Sequence, residues 1–309
     1  MNAGSGETIT LAAARLRLEV FPAGGGSIVR FTRQDRSGVP VDLMRPASRP
    51  AIEGREPLGM SCFPLVPYCD LVTGGAFTFD GVRHVLPRNH PALHEPIHGE
   101  GWISAWSVER RAGDALLLRL DHGADEPGFP FSYSASLLFE LGDETLAIEL
   151  ALHNDDARPM PCGIGTHPYY VRTPDLIVRV GTGQVWPAEA TKKMLAAIPV
   201  PPEWDYRAPR QLGDVDLDHT FAGWDGRYDV VWPSLATGLT VTADPVFRNL
   251  QIFVPRGGDH FCMEPISNAM DAFNLASLGL GGHDVSILHP GHTVSGRVRF
   301  RTFDYKSAT

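Results

Sequence analysis

The chain of 309 residues carries 32 glycines and 26 prolines, close to a fifth of its length against roughly 12% in average usage, and only 20% charged residues. That mixture favours many turns and few long helices, and a 43% hydrophobic content is enough to bury a core, which excludes disorder throughout. A net charge of -9 with scattered Lys and Arg leaves no basic surplus for phosphates, so no nucleic acid is expected as a partner and a small or neutral one is.

Stretches of period-two or β-branched character, broken by Gly, Pro, Asp and Asn, predict an antiparallel all-β chain. In chain order, strands are expected over residues 16–21, 27–32, 77–79 ahead of a turn at Asp80-Gly81, and 115–120. Residues 131–141 and 145–152 flank Gly142-Asp143-Glu144, a connection of hairpin length. The second half continues with 176–180, 228–232, 239–242, 250–254 and 294–303. So many strands imply a large sandwich, which routinely exceeds the usual domain length, and a single domain over 1–309 is expected. Residues 46–62 and 187–214 read as long ordered loops.

Cys62, Cys69, Cys162 and Cys262 form no CxxC pair and read as reduced, mostly buried thiols. Met1 to Thr10 lacks a basic patch followed by an apolar run, and no stretch approaches 18 apolar residues. No membrane partner is expected, and the location expected is cytoplasmic.

Several segments carry chemistry. His94-Glu95-Pro96-Ile97-His98 matches the His-Glu-x-x-His zinc pattern, but Pro91, Pro96, Gly99 and Gly101 deny it the helix that would align two ligands. It reads better as a loop delivering one histidine, His98, whose role is either functional or structural. Residues 162–170, Cys-Gly-Ile-Gly-Thr-His-Pro-Tyr-Tyr, set His167 at a strand end on a stiff turn. Tyr169 and Tyr170 would be either a sugar-stacking wall or core. Glu264 ends an apolar run, where burial would raise its pKa toward acid/base use near neutrality unless it faces water at an edge. Asp216 and Asp218 share a face if extended, and Gln251 is a polar residue on an apolar strand, facing either solvent or ligand. No Gly-x-Ser-x-Gly elbow is present, so covalent hydrolase chemistry is unsupported.

Taken in order, Pro64-Leu65-Val66-Pro67-Tyr68, Phe77-Thr78-Phe79-Asp80-Gly81, Ile97-His98-Gly99, Gly165-Thr166-His167-Pro168-Tyr169, Leu217-Asp218-His219-Thr220-Phe221, Leu250-Gln251-Ile252-Phe253, Glu264-Pro265 and Leu288-His289-Pro290-Gly291 resemble the aldose 1-epimerase (galactose mutarotase) family over almost the whole chain. The resemblance implies a large antiparallel β-sandwich that binds a monosaccharide and interconverts its anomers with no metal or organic cofactor. It implies Glu264 as general base, His167 as general acid, and His98 as a second histidine that orients the sugar and supports charge. Asp218 and Gln251 match positions that hydrogen-bond sugar hydroxyls, and Tyr169 is expected to bind the sugar with them.

One departure stands out. Where the family shows Asn-Arg after Pro-Tyr-x, this chain has Asp70-Leu71 after Cys69, and Leu cannot replace a guanidinium fork. Asp70 could accept hydrogen bonds from a sugar while adding negative charge beside Glu264, which disfavours acidic or phosphorylated substrates. The alternatives to a neutral-aldose mutarotase are a carbohydrate-binding protein and an epimerase of another sugar. Arg88, Arg172 and Arg207 are candidates for supplying the missing cation.

Overall fold

Leu137, Phe139 and Leu141 alternate with half-buried residues along the strand Tyr133–Leu141, as do Leu146, Ile148, Leu150 and Leu152 along Thr145–Asn154. The period of two puts each apolar set on one face, and the strands pair antiparallel with Leu137 opposite Leu150. In the computed structural model, which describes residues 6–187 and 196–306, these strands lie inside a nine-stranded sheet. Its order is Arg210–Gln211, Ile177–Val180, Arg227–Trp232, Thr237–Ala243, Thr293–Asp304, Thr145–Asn154, Tyr133–Leu141, Ala115–His122 and Ser107–Ala112.

The facing sheet has eleven strands. Ten run in the order Ile9–Ala13, Leu16–Phe21, Ser27–Gln34, Cys62–Leu65, Gly165–Val171, His260–Ile266, Asn249–Val254, Leu217–Ala222, Gln184–Pro187 and Ile198–Pro199, and Pro40–Asp42 pairs with Ser27–Gln34. Pairing is antiparallel throughout both sheets. One apolar cluster joins them, taking Leu18, Ile28, Leu250 and Met263 from one sheet and Leu118, Leu137, Ile148 and Phe300 from the other. Tyr228 reaches across this core, donating its hydroxyl to Met263 O at 3.0 Å while meeting Tyr170 Oη at 2.6 Å. The molecule is a large antiparallel β-sandwich, as the turn-rich composition predicts.

The strands expected from periodicity are present, several a residue or two longer at an end, while two begin later than expected, at Tyr133 and Ile177. Residues 46–62 are not a plain loop. Ser48 accepts from Ala51 N and caps the short helix Arg49–Gly54, and a 3-10 turn follows at Pro57–Gly59. Within 187–214 the described residues hold short strands at Ile198–Pro199 and Arg210–Gln211 and a 3-10 turn at Pro202–Trp204, while 188–195 lie outside the described residues. A second short helix, Ala272–Ser277, follows the strand that carries Glu264. No helix among the described residues is long and apolar enough to cross a membrane.

Candidate active site

Three central strands of the eleven-stranded sheet are buried on both faces, Cys62–Leu65, Gly165–Val171 and His260–Ile266. One face meets the sandwich core. The other holds Phe63, Leu65, Tyr169, Cys262 and Ile266 against Cys69 and Trp102. His167 and Glu264 therefore sit within strands, not on turns at strand ends as the flanking Gly165, Pro168 and Pro265 suggest.

Register sets the site. Phe63 pairs with His167, Glu264 with Gln251, Gln251 with Thr220, and Thr220 with Trp186. Between the two middle strands, Gly165 pairs with Ile266 and Tyr169 with Cys262, which places His167 opposite Glu264. The pairing is interrupted around this position, where Pro168 and Pro265 have no N–H to give. One row thus crosses the sheet as Phe63, His167, Glu264, Gln251, Thr220 and Trp186. The next row on the same face, two residues along each strand, is Tyr169, Cys262, Phe253 and Asp218.

His167 Nε2 lies 3.3 Å from Glu264 Oε1, and the two residues are 7% and 2% exposed. Burial pushes the Glu264 carboxyl well above the usual carboxylate range, and the negative charges of Asp70 and Asp218 push it further. Burial pushes the His167 imidazolium well below its usual range, helped by His98, Arg45 and His260. Phe63 and Tyr169 hold the imidazole, with ring centroids 4.6 Å away in each case and the tyrosine nearly parallel at 17°. Gln251 is fixed on both ends, donating from Nε2 to Asp218 Oδ1 at 2.8 Å and accepting from Thr220 Oγ1 at 2.7 Å.

His98 arrives from the loop that covers this face. It has a left-handed backbone, φ 62°, followed by Gly99 at φ 68°. A Cβ on Gly99 would stand 2.4 Å from Val66 O and 2.3 Å from Pro67 Cδ, so the close approach requires glycine. Asn89 clamps the loop by donating to Ile97 O and Gly99 O at 2.6 and 2.7 Å and accepting from Ile97 N at 3.1 Å. His98 N donates to Asp70 O, and Asp70 N donates to His98 Nδ1 at 3.1 Å. A backbone N–H can only donate, so Nδ1 is the acceptor and the ring proton sits on Nε2. Burial pushes His98 down to about 3. His98 is therefore a neutral imidazole of fixed tautomer, with its N–H at Nε2.

The other expected residues are placed as follows. Asp70 is buried, with φ 61°, and accepts from Leu71 N at 2.6 Å. Its chain segment is held by Asn268, whose Nδ2 donates to Cys69 O and whose Oδ1 accepts from Cys69 N. Asp218 is exposed, with its carboxylate on Gln251. Tyr170 belongs to the core. Tyr169 packs between groups more than it offers a wall: besides His167 it carries the Arg45 guanidinium 4.2 Å from its centroid. His94 to His98 are not helical.

Arg88, Arg172 and Arg207 are tied elsewhere, to Leu93 O and Pro91 O, to Pro255 O and Gly213 O, and to Asp205. The guanidinium that reaches the His167 side is that of Arg45. Its Nη2 donates to Leu58 O and Met60 O at 2.7 and 2.9 Å, and its Nη1 lies 3.4 Å from His260 Nδ1. A hollow of about 470 Å³ lies past the far end of the row, bounded by Trp186, Ala222, Gly282 and Asp284, away from the titratable pair.

Residues 7–301 match the family described as aldose 1-epimerase. The chain belongs to the aldose 1-epimerase family. Among proteins similar to this aldose 1-epimerase family member is the uncharacterised Escherichia coli K12 protein YphB, 27% identical over 301 residues, covering 94% of this chain and 97% of YphB. A solved structure from Escherichia coli K12, also 27% identical, superposes with a TM-score of 0.84 over 96% of this chain and 99% of its own. The aldose epimerase homologue from C. elegans shares the fold at 15% identity, with a TM-score of 0.82 over 98% of this chain and all of that one.

Proposed function

We propose that the protein is a mutarotase: a cofactor-free isomerase, one domain over its length, that interconverts the α and β anomers of a neutral aldose. The observation that carries this reading is the contact of His167 with Glu264, 3.3 Å apart on neighbouring strands of one sheet and buried from water. Mutarotation needs one group to take the proton from the C1 hydroxyl while another protonates the ring oxygen. The C1–O5 bond then breaks to give the open aldehyde. Rotation about C1–C2 presents the other carbonyl face, and both protons return as the ring closes. In each turnover Glu264 first accepts and then donates, and His167 does the reverse.

Opposite burial shifts suit this exchange. An isolated carboxyl and imidazole differ in proton affinity by about two units. Raising Glu264 and lowering His167 removes the imidazole's ordinary lead in proton affinity, so the one proton of the pair rests on Glu264 and passes to His167 as the sugar engages; ring opening runs from that second form. His98 Nε2–H is the neutral donor that orients the sugar, and Asp70, Asp218 and Gln251 bind its hydroxyls. Tyr169 positions His167 by stacking. A neutral substrate fits because the charges that bear on Glu264 are the negative ones of Asp70 and Asp218. The four free, buried thiols fit a reducing compartment such as the cytoplasm.

The test is to add purified protein to freshly dissolved α-anomers of neutral, acidic and phosphorylated aldoses and to follow optical rotation. Acceleration over buffer is expected for at least one neutral sugar, with little for phosphorylated ones. Glu264→Gln and His167→Ala should each lose about 10²- to 10⁴-fold. Leu71 in place of a guanidinium favours a second reading, binding of a sugar without turnover. Several sugars bound and none exchanged would establish that reading and overturn ours.

A further inference from the structure

Cys262 takes no part in the acid/base scheme, yet it stands two residues before Glu264 on the same face of the strand and opposite Tyr169. One nitrogen of His167, the sulfur of Cys262 and one carboxylate oxygen of Glu264 all lie within 4.8 Å of one another, and all three residues are buried. We infer that these three side chains form a binding site for a soft divalent cation of the zinc type, with a fourth position open to water or ligand.

Three observations support this. Zinc bound tetrahedrally at its usual bond lengths holds N and O donors about 3.3 Å apart and N and S donors about 3.6 Å apart. His167 Nε2 and Glu264 Oε1 are already 3.3 Å apart, and the Cys262 sulfur lies within 4.8 Å of the other two ligand atoms, at most about 1.2 Å beyond the tetrahedral spacing. Second, imidazole, thiolate and carboxylate together select zinc, cobalt or copper over magnesium or calcium, which prefer all-oxygen sites. Third, the acidic side chains of Asp70 and Asp218 act on Glu264 and make the site attractive to a cation. Burial, with Glu264 beside it, holds the Cys262 thiol well above its ordinary range, so the cation has to displace a held proton, and the Arg45 guanidinium opposes the attraction. On binding, the S–H bond of Cys262 breaks, the sulfur keeps the electron pair and donates it to the metal, and that proton leaves to solvent together with the one shared by Glu264 and His167. His167 Nδ1 is buried and makes no hydrogen bond among the described residues, so the imidazole lacks the outer partner that strengthens a structural zinc site, and the cation is expected to exchange with solution.

If the mutarotase reading holds, the cation occupies both members of the acid/base pair and stops exchange. Binding itself does not rest on that reading. The experiment titrates the full metal-free chain with Co²⁺, the visible probe for a zinc site, and follows near-ultraviolet thiolate-to-cobalt charge transfer and the visible bands. One cation per chain is expected, with the charge-transfer band present, displaced by Zn²⁺ and indifferent to excess Mg²⁺. Cys262→Ser should abolish that band and weaken Co²⁺ binding at least tenfold, and Glu264→Gln, which keeps the thiol, should also weaken it at least tenfold. Absence of the band in the wild type would overturn the site, as would a band that survives Cys262→Ser. Cobalt binding with no sugar exchanged on any substrate would support the site while the functional reading falls. Exchange that persists in the wild type at a Zn²⁺ concentration that fully displaces the cobalt band would overturn this ligand set, because both catalytic groups would then be free.

Discussion

Glu264 and His167 form a pair for which low dielectric favours the neutral, one-proton state. A second proton would leave a buried imidazolium, and loss of the only one would leave a buried carboxylate beside Asp70 and Asp218. The pH profile of kcat/KM should therefore be a broad plateau. Its acid limb is expected below the ordinary imidazole value and its alkaline limb above the ordinary carboxylate value, with Asp70→Asn drawing the alkaline limb down. A narrow bell centred between 4 and 6 would contradict this reading of the pair. His98 permits a separate check. Its folded value of about 3 lies below the unfolded value near 6.5, so the unfolded state binds its proton first. Stability from this group is complete above about pH 6.5 and is lost as the pH falls toward 3, at up to about 1.4 kcal/mol per pH unit. Urea denaturation of the wild type and His98→Gln between pH 7 and pH 4 should show the difference between them shrinking as acid is added.

At the scale of strands and loops, the site is a product of register. A slip by one residue in His260–Ile266 would turn Glu264 and Cys262 toward the core and bring Met263 out. The cover loop is equally constrained, since Gly99 has no room for a Cβ and a positive φ. Gly99→Ala is expected to cost about 1–3 kcal/mol in chemical denaturation and to displace His98, raising KM for the sugar. The strands legible from the sequence are those with one face toward water or half-buried, such as Tyr133–Leu141 and Thr145–Asn154, where the period of two is plain. The three strands under the site escape that reading for two reasons. They are buried on both faces and so do not alternate, and Pro64, Pro168 and Pro265 stand inside them where turns would be expected. His98 on a glycine-bounded loop is legible from local chemistry, whereas the pairing of His167 with Glu264 comes only from family resemblance. Arg45, Asn89 and Asn268 give no signal in one sequence, because each acts through backbone contacts made by the fold.

For the molecule as a whole, the two sheets divide the work. The nine-stranded sheet supplies apolar burial, and the eleven-stranded one turns its second face to chemistry. Leu137→Ala, in the shared core on the opposite side of the sheet from His167, should cost about 2–5 kcal/mol in unfolding free energy while changing kcat of the folded protein far less than Glu264→Gln does. The negative net charge and the acidic groups near Glu264 agree in favouring a neutral ligand. The claim at the centre is that a buried carboxyl and imidazole exchange protons with a sugar. Magnetisation exchange between the two anomeric protons of the best neutral aldose, read with wild type and with Glu264→Gln, tests it most directly. The wild type should raise the exchange rate far above buffer and Glu264→Gln should fall by at least about 10²-fold while still binding the sugar. Undiminished exchange with Glu264→Gln would contradict the assignment.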